Sequence, residues 1–247
     1  MNSPTELEQI VERYARRTHV PPDRYSRFNP EVMAGTQERQ CALVSLLKAA
    51  SISSLAGVDV LEVGCGNGSN LLEMLLLGAE PDHLVGNELL PARMEQARRM
   101  LPQSVRLVPG DASVLGFDER AFDVVYQSTV FSSILDDELQ SRIARAMWRW
   151  ARPGGGILWY DFVYNNPSNP DVRGVPISRI RELFPDGQLT VRRVTLAPPS
   201  ADACASCILR FTSFSITCRF YARTFCAGSA KNKAPHHVEN PALQTEF

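Results

Sequence analysis

The run Val60-Leu61-Glu62-Val63-Gly64-Cys65-Gly66-Asn67-Gly68-Ser69 constrains this chain more than any other stretch. Val60, Leu61 and Val63 suit a buried, pleated strand. The glycines that follow end it, because glycine accepts the positive φ of a sharp turn and lets a ligand approach bare backbone. Residues 69–77 then have helical composition, so the unpaired N–H groups of a helix start would face the turn. A strand, a glycine turn and a helix form half of an α/β unit. The spacing also discriminates among ligands. A dinucleotide fingerprint, G-x-G-x-x-G, needs its third glycine at position 69, where this chain has Ser69; the glycine arrives one residue early, at Gly68. That spacing, and the lack of a Tyr-x-x-x-Lys pair, argue against a nicotinamide-dependent oxidoreductase.

The alternation continues down the chain. Strands are predicted over residues 83–87, 105–108, 122–127, 156–163 and 188–196, and helices over 91–100, 136–151 and 176–183. Apolar strands alternating with helices predict a parallel sheet covered on both faces. Ahead of it, Leu7, Ile10, Val11 and Tyr14 recur at helical spacing, which predicts a helix over residues 5–17. A second is predicted from Pro30 or Glu31 to Ala50, after an irregular link. Residues 208–221 are β-branched and aromatic but alternate poorly, so a last strand there is only one reading. From residue 227 onward the chain is polar, contains proline and lacks periodicity, which predicts disorder. The expected organisation is a helical cap at 1–55, a ligand-binding domain at 56–226 and a disordered tail at 227–247.

These residues resemble the class I S-adenosylmethionine-dependent methyltransferases, whose first motif, E/D-x-G-x-G-x-G, is matched by Glu62, Gly64, Gly66 and Gly68. Glu88 ends the next strand some twenty residues later, and Asp111 ends the third, both where that family places acidic residues. The resemblance spans roughly residues 56–196. It implies a Rossmann-like, doubly wound α/β fold: a mostly parallel sheet of about seven strands, helices on both faces and an N-terminal helical cap. It implies S-adenosylmethionine as cofactor. The backbone of Gly64, Cys65, Gly66, Asn67 and Gly68 would approach its methionine and ribose portions, with Glu62 orienting the loop and reaching toward the amino group. Glu88, with Leu89 beside it, would accept the ribose hydroxyls; Asp111 and the backbone of Ala112 would face the adenine. Gln127 and Ser128 would flank the reacting region. A basic residue of the cap, Arg27 or Arg39, is a candidate partner for the methionine carboxylate. Asp123 starts its strand at the far end from the cofactor and reads as a fold residue.

The acceptor is less constrained. Of the histidines His19, His83, His236 and His237, none lies between residues 84 and 235, so the usual neutral-pH base is missing from the acceptor-side loops. Asp161 is the candidate catalytic base or substrate-orienting carboxylate, weighed against a role as loop anchor. Tyr126, Tyr160 and Tyr164 are candidate pocket residues, and the Asn- and Pro-rich loop 164–175 lies where acceptors enter such folds. An N/D-P-P-Y signature is absent after the fourth strand, where the chain reads Gln127-Ser128-Thr129-Val130. The expected activity is therefore methyl transfer to an oxygen or nitrogen of a small-molecule, sugar or lipid-linked acceptor. The alternative is a catalytically silent, methyltransferase-like binding or scaffold protein.

Charge and cysteine usage exclude other classes. With 26 Lys+Arg against 27 Asp+Glu, the net charge of −1 gives no basic field for nucleic acid. No run approaches the ~18 apolar residues of a membrane span, and the first ten residues are acidic and polar, which predicts a cytoplasmic protein. Cys204, Cys207, Cys218 and Cys226 crowd together but lack the paired spacing of a zinc site, and His236 and His237 are adjacent, so no metal is expected. The oligomeric state is left open; a homodimer is one option if the last strand fails to cover the sheet edge.

Overall fold

The computed structural model describes residues 4–16, 26–165, 167, 169–195 and 215–218. Two helices come first, α1 (Glu6–Arg16) and α2 (Pro30–Ala49), followed by β1 (Val60–Val63), α3 (Ser69–Leu76), β2 (Leu84–Glu88), α4 (Pro91–Met100) and β3 (Arg106–Pro109). Then come β4 (Phe122–Ser128), α5 (Asp137–Trp150), β5 (Ala151–Tyr160), α6 (Ile177–Leu183), β6 (Arg192–Thr195) and β7 (Ser215–Cys218). Short 3-10 turns occupy Pro81–His83 and Phe131–Ser133. Local signals set several ends: Asn29 caps α2, whose first residue is a proline, and Asp136 caps α5 by accepting from the Leu139 N–H.

The principal sheet has five strands in the order β3-β2-β1-β4-β5, every neighbouring pair parallel. The chain winds outward from β1 to β3 and then returns to place β4 on the other side of β1. That reversal leaves a crevice at the carboxyl ends of β1 and β4, the place where open α/β sheets bind ligands. Among the described residues this sheet holds five strands, where about seven were expected. The remaining two strands pair antiparallel with each other, Arg192 opposite Cys218. β7 falls inside the poorly alternating segment 208–221. The expected tail, 227–247, lies outside the described residues, as do Cys204, Cys207 and Cys226.

The pleat sorts the core into two layers. Leu61, Val63, Val125, Ile157 and Trp159 face α5 and α6, where they meet Phe131, Ile143, Met147, Trp150, Ile180 and Phe184, with Ile10 of α1 joining them. Val60, Leu84, Val124, Tyr126, Leu158 and Tyr160 face the other way, against Leu43 and Leu46 of α2, Leu71 and Met74 of α3, and Ala97 of α4. Truncating a fully buried aromatic such as Trp150 or Trp159 to alanine would cost about 3–5 kcal/mol. Alternation along β1 also puts Glu62 on the α2–α3 side, completely buried.

At the amino-terminal edge of the sheet, Arg152 bridges Asp59 and Asp123, 2.7 Å from each. His83 Nδ1 lies 2.7 Å from Asp59, and Asp123 also accepts from the Asp59 N–H. Asp123 acts there as a fold residue, far from the carboxyl-end crevice.

Candidate functional site

The carboxyl ends of β1, β2 and β3 are tied to one another before any ligand is considered. The Cys65 N–H donates to the Asn87 carbonyl at 2.8 Å, and the Asn87 amide donates to the carbonyls of Val108 and Gly110. Glu88 takes one backbone donor on each oxygen, Gly66 N–H on Oε2 and Leu90 N–H on Oε1, both at 2.8 Å. A carboxylate oxygen has two lone pairs, so each keeps one for a ligand hydroxyl. Asp111 is fixed by the backbone N–H and the hydroxyl of Ser113. Gly64 sits at φ +66°, and a Cβ there would stand 2.4 Å from Val130 Cγ2. Any other residue would close the turn against the end of β4.

These strand ends form one wall of a cavity. Gly64, Glu88, Leu89, Asp111, Ala112 and Ser128 line that wall, together with Asn87, Thr129 and Val130. Leu7, Ile10 and Tyr14 of α1 cover it, and Leu139 and Ile143 of α5 close its far side. α1 is held in place by polar contacts to the turn after β4: the Tyr14 hydroxyl lies 3.1 Å from Ser133 Oγ, Arg13 donates to the Ser133 carbonyl, and Glu6 accepts from the Leu135 N–H. Arg93, exposed at the rim, places its guanidinium 4.7 Å from the centre of the Tyr14 ring.

Of the residues singled out by sequence, Gly64, Glu88, Leu89, Asp111, Ala112 and Ser128 line the cavity, whereas Glu62, Cys65, Gly66, Asn67, Gly68, Gln127 and Asp161 do not. Gly66 serves the site through its N–H on Glu88, and Asn67 accepts from the Ser69 hydroxyl at the start of α3. Cys65 is buried among the α2–α4 layer, and burial together with Glu62 pushes its thiol up out of reach of physiological ionisation. Gln127 turns into the protein, accepting from the Val130 N–H. Asp161 is buried as well, and accepts from the backbone N–H groups of Ser132 and Phe162. Burial raises its carboxyl to about 6. It therefore holds the turn that carries Ser133, instead of facing the cavity. Tyr126 and Tyr160 pack on the α2–α4 side, and Tyr164 lines a separate surface cleft near α6.

Neither cap arginine is free for a ligand carboxylate. Arg39 grips both oxygens of Glu73, at 2.8 and 2.7 Å, and Arg27 pairs with the same carboxylate. Behind the glycine turn, Asn70 accepts from Arg39 at 2.7 Å and donates to Glu62 Oε1 at 2.6 Å. Glu62 Oε2 is buried without a partner. Burial raises the Glu62 carboxyl to about 8. Sequence reasoning missed Leu7, Ile10, Tyr14 and Arg93 as cavity residues; the helical spacing of the first three marked a buried face without saying what it buries. It also missed Thr129, a β-branched residue at φ +56° on the cavity wall.

Known proteins agree with this geometry. Residues 60–155 match the family described as methyltransferase domain. Among solved structures, the magnesium protoporphyrin IX methyltransferase of Synechocystis PCC 6803 with bound S-adenosylmethionine superposes with a TM-score of 0.62 at 17% identity, covering 91% of this chain and 100% of that one. The 1,6-didemethyltoxoflavin-N1-methyltransferase of Burkholderia thailandensis, bound to 1,6-didemethyltoxoflavin and S-adenosylhomocysteine, gives 0.60 at 16%, covering 91% and 94%. A methyltransferase from Methanosarcina mazei gives 0.52 at 16%, covering 66% and 91%. No curated protein sequence matches this chain. Over residues 60–155 the chain matches a methyltransferase domain, and its fold is shared with a methyltransferase that binds S-adenosylmethionine. The residues present fit that molecule: Glu88 retains acceptor capacity for two hydroxyls, Leu89 and Ala112 offer apolar contact, and the Glu62 oxygen without a partner lies behind the turn.

Proposed function

We propose that this chain transfers the methyl group of S-adenosylmethionine to an oxygen or nitrogen of a small, largely apolar acceptor held between α1, α5 and the end of β4. One observation carries this reading: Glu88, Asp111 and the open Gly64 turn, far apart in sequence, converge on a single cavity whose other side is aliphatic. The cofactor supplies an electrophilic methyl on a sulfonium sulfur, so the protein's task is to align a nucleophile and exclude water. In this reading Glu88 binds the ribose hydroxyls and Asp111 with Ala112 the adenine. Ser128 and Thr129 flank the reacting face, and Leu7, Ile10 and Tyr14 keep water out. Asp161 and Gln127 are positioning residues that hold the turn after β4.

The aliphatic lining favours an aromatic or lipid-like acceptor over a free sugar. The acceptors named for the structural neighbours, a magnesium porphyrin and a toxoflavin precursor, support a small molecule. The two N-terminal helices, within 1–55, act as the cap of a catalytic domain at 56–226. No helix among the described residues is long and apolar enough to cross a membrane, which is compatible with a cytoplasmic enzyme. The test is transfer of labelled methyl from S-adenosylmethionine to a panel of apolar acids, phenols and heterocyclic amines. Transfer to one class supports the reading. Tight cofactor binding with no transfer to any of them favours the silent binding protein.

A further inference from the structure

The cavity sorts its polar groups by strand. Glu88 and Asp111, the carboxylates that line it, stand at the ends of β2 and β3, two and three strands from β4. At roughly 4.8 Å per strand, Glu88 is about 10 Å from the Ser128 end of β4, and Asp111 is farther. The β4 side carries hydroxyls instead. Thr129 donates its hydroxyl to the Ser128 carbonyl at 2.7 Å, and Ser133 donates to the Thr129 carbonyl at 3.2 Å, so Ser133 Oγ accepts from the Tyr14 hydroxyl. Titratable groups near that end face elsewhere. Asp161 accepts from the backbone N–H groups of Ser132 and Phe162 outside the cavity, and His83 stands at the opposite edge of the sheet. Among the described residues, no base thus faces an alcohol or phenol bound there. A cation does. Arg93 is the one cation among the described residues that line the cavity; its guanidinium lies over the Tyr14 ring of α1, and it makes no hydrogen bond or ion pair with any of them. Its Nη1 also reaches the glycine turn, 3.2 Å from where a Cβ on Gly66 would stand.

We propose that the acceptor is the carboxylate of an apolar acid, held by Arg93 between α1 and the end of β4, so that this chain forms methyl esters. The inference rests on the methyltransferase reading of the cavity and deepens it by naming the acceptor group. A carboxylate suits what the cavity offers: it is ionised across the neutral range, so its oxygen is a ready nucleophile and needs no base. The planar guanidinium of Arg93 matches it in two-point contact, and Leu139 and Ile143 take the apolar remainder. The transfer balances with no proton moved. One carboxylate oxygen forms the bond to the methyl carbon, the bond from that carbon to the sulfonium sulfur of S-adenosylmethionine breaks, and its electron pair stays on sulfur. The products are a neutral ester and the thioether S-adenosylhomocysteine. Esterification removes the charge that Arg93 holds, which favours release of the product.

The test has a transfer arm and a binding arm. Methyl-labelled S-adenosylmethionine is offered to the full chain with octanoate, phenylbutyrate and naphthoate, alongside octanol, naphthol and naphthylamine. Label is expected on an acid, in a product from which alkali releases it as volatile methanol. The acid that accepts best is then titrated calorimetrically into the chain saturated with S-adenosylhomocysteine, beside its uncharged primary amide, on wild type and on Arg93→Gln. The acid should bind more tightly than the amide and lose about tenfold or more in affinity in the variant, while the amide and S-adenosylhomocysteine lose nothing. Transfer to none of the acids, label only in alkali-stable products, or an equal loss of acid and amide in Arg93→Gln overturns the proposal and leaves the cofactor reading intact. A folded chain that fails to bind S-adenosylhomocysteine overturns the methyltransferase reading, and the proposal with it.

Discussion

Carboxylates gather at both edges of the five-stranded sheet, and they are treated in opposite ways. At the amino-terminal edge Asp59 faces His83 and Arg152, while Asp123 faces the same arginine and a backbone N–H. At the carboxyl edge Glu88 and Asp111 hold only N–H and hydroxyl donors, and Glu62 keeps an oxygen with no partner. The first arrangement spends its acceptors on the fold. The second holds them back next to a cavity, at some cost in stability, because a buried polar atom without a partner is unfavourable. Opposite ends of the same strands thus separate stabilising electrostatics from binding electrostatics.

Substitutions at the two edges should have different readouts. The largest effect is expected from Gly64→Val, which combines a left-handed backbone with a Cβ placed 2.4 Å from Val130 Cγ2. Binding of S-adenosylhomocysteine should vanish in calorimetry and the melting temperature should fall. Gly57→Val is the matched control, since Gly57 has a similar φ of +68° but open space around it. It should lose only about 1–2 kcal/mol of stability from backbone strain and keep ligand affinity.

Glu88→Ala comes next. Loss of the ligand's hydrogen bonds to a charged acceptor should weaken S-adenosylhomocysteine by about 1.5–3 kcal/mol, roughly 10- to 100-fold in dissociation constant. At the other edge Arg152→Ala should leave that constant unchanged and cost about 1 kcal/mol or less in chemical denaturation, since the pairs are partly exposed.

The smallest effect concerns pH. His83 is raised above its ordinary value chiefly by its hydrogen bond to Asp59. Its contribution to stability is therefore present at pH below the ordinary histidine value and is lost as pH rises through the raised one. Asp59, although burial works against it, is held low by His83 and Arg152, so its contribution persists above the ordinary carboxyl range and is lost on acidification. His83→Gln should accordingly lower the melting temperature more at mildly acidic than at alkaline pH. Equal loss at both would show that the ion pair contributes little.

How much of this was legible in the sequence follows from the kind of signal each residue carries. Pro91–Met100 was bounded as it stands in the fold, and it begins at a proline, which suits a first helical position. Gly64, Glu88 and Asp111 were legible through the resemblance to a known first motif and the acidic residues that follow it, and all three line the cavity. Asp161, Gln127 and Cys65 also sit at strand ends, yet they do not line the cavity. Successive residues leaving a strand point to opposite sides, and sequence position alone does not say which. Tyr14 and Arg93 lie far apart in the chain and meet only once α1 has packed onto the turn after β4, a tertiary event with no local trace. The pairing of β6 with β7 among the described residues has a similar origin: it depends on long-range partners that the alternation in 208–221 was too weak to specify.

The most direct test of the central claim is calorimetric titration of the wild-type chain with S-adenosylhomocysteine and, separately, with a nicotinamide dinucleotide. Saturable one-to-one binding of the first and none of the second is expected, because the third glycine of a dinucleotide fingerprint is missing at position 69, where the chain has Ser69. A folded chain that ignores S-adenosylhomocysteine, or that binds the dinucleotide as tightly, would contradict it.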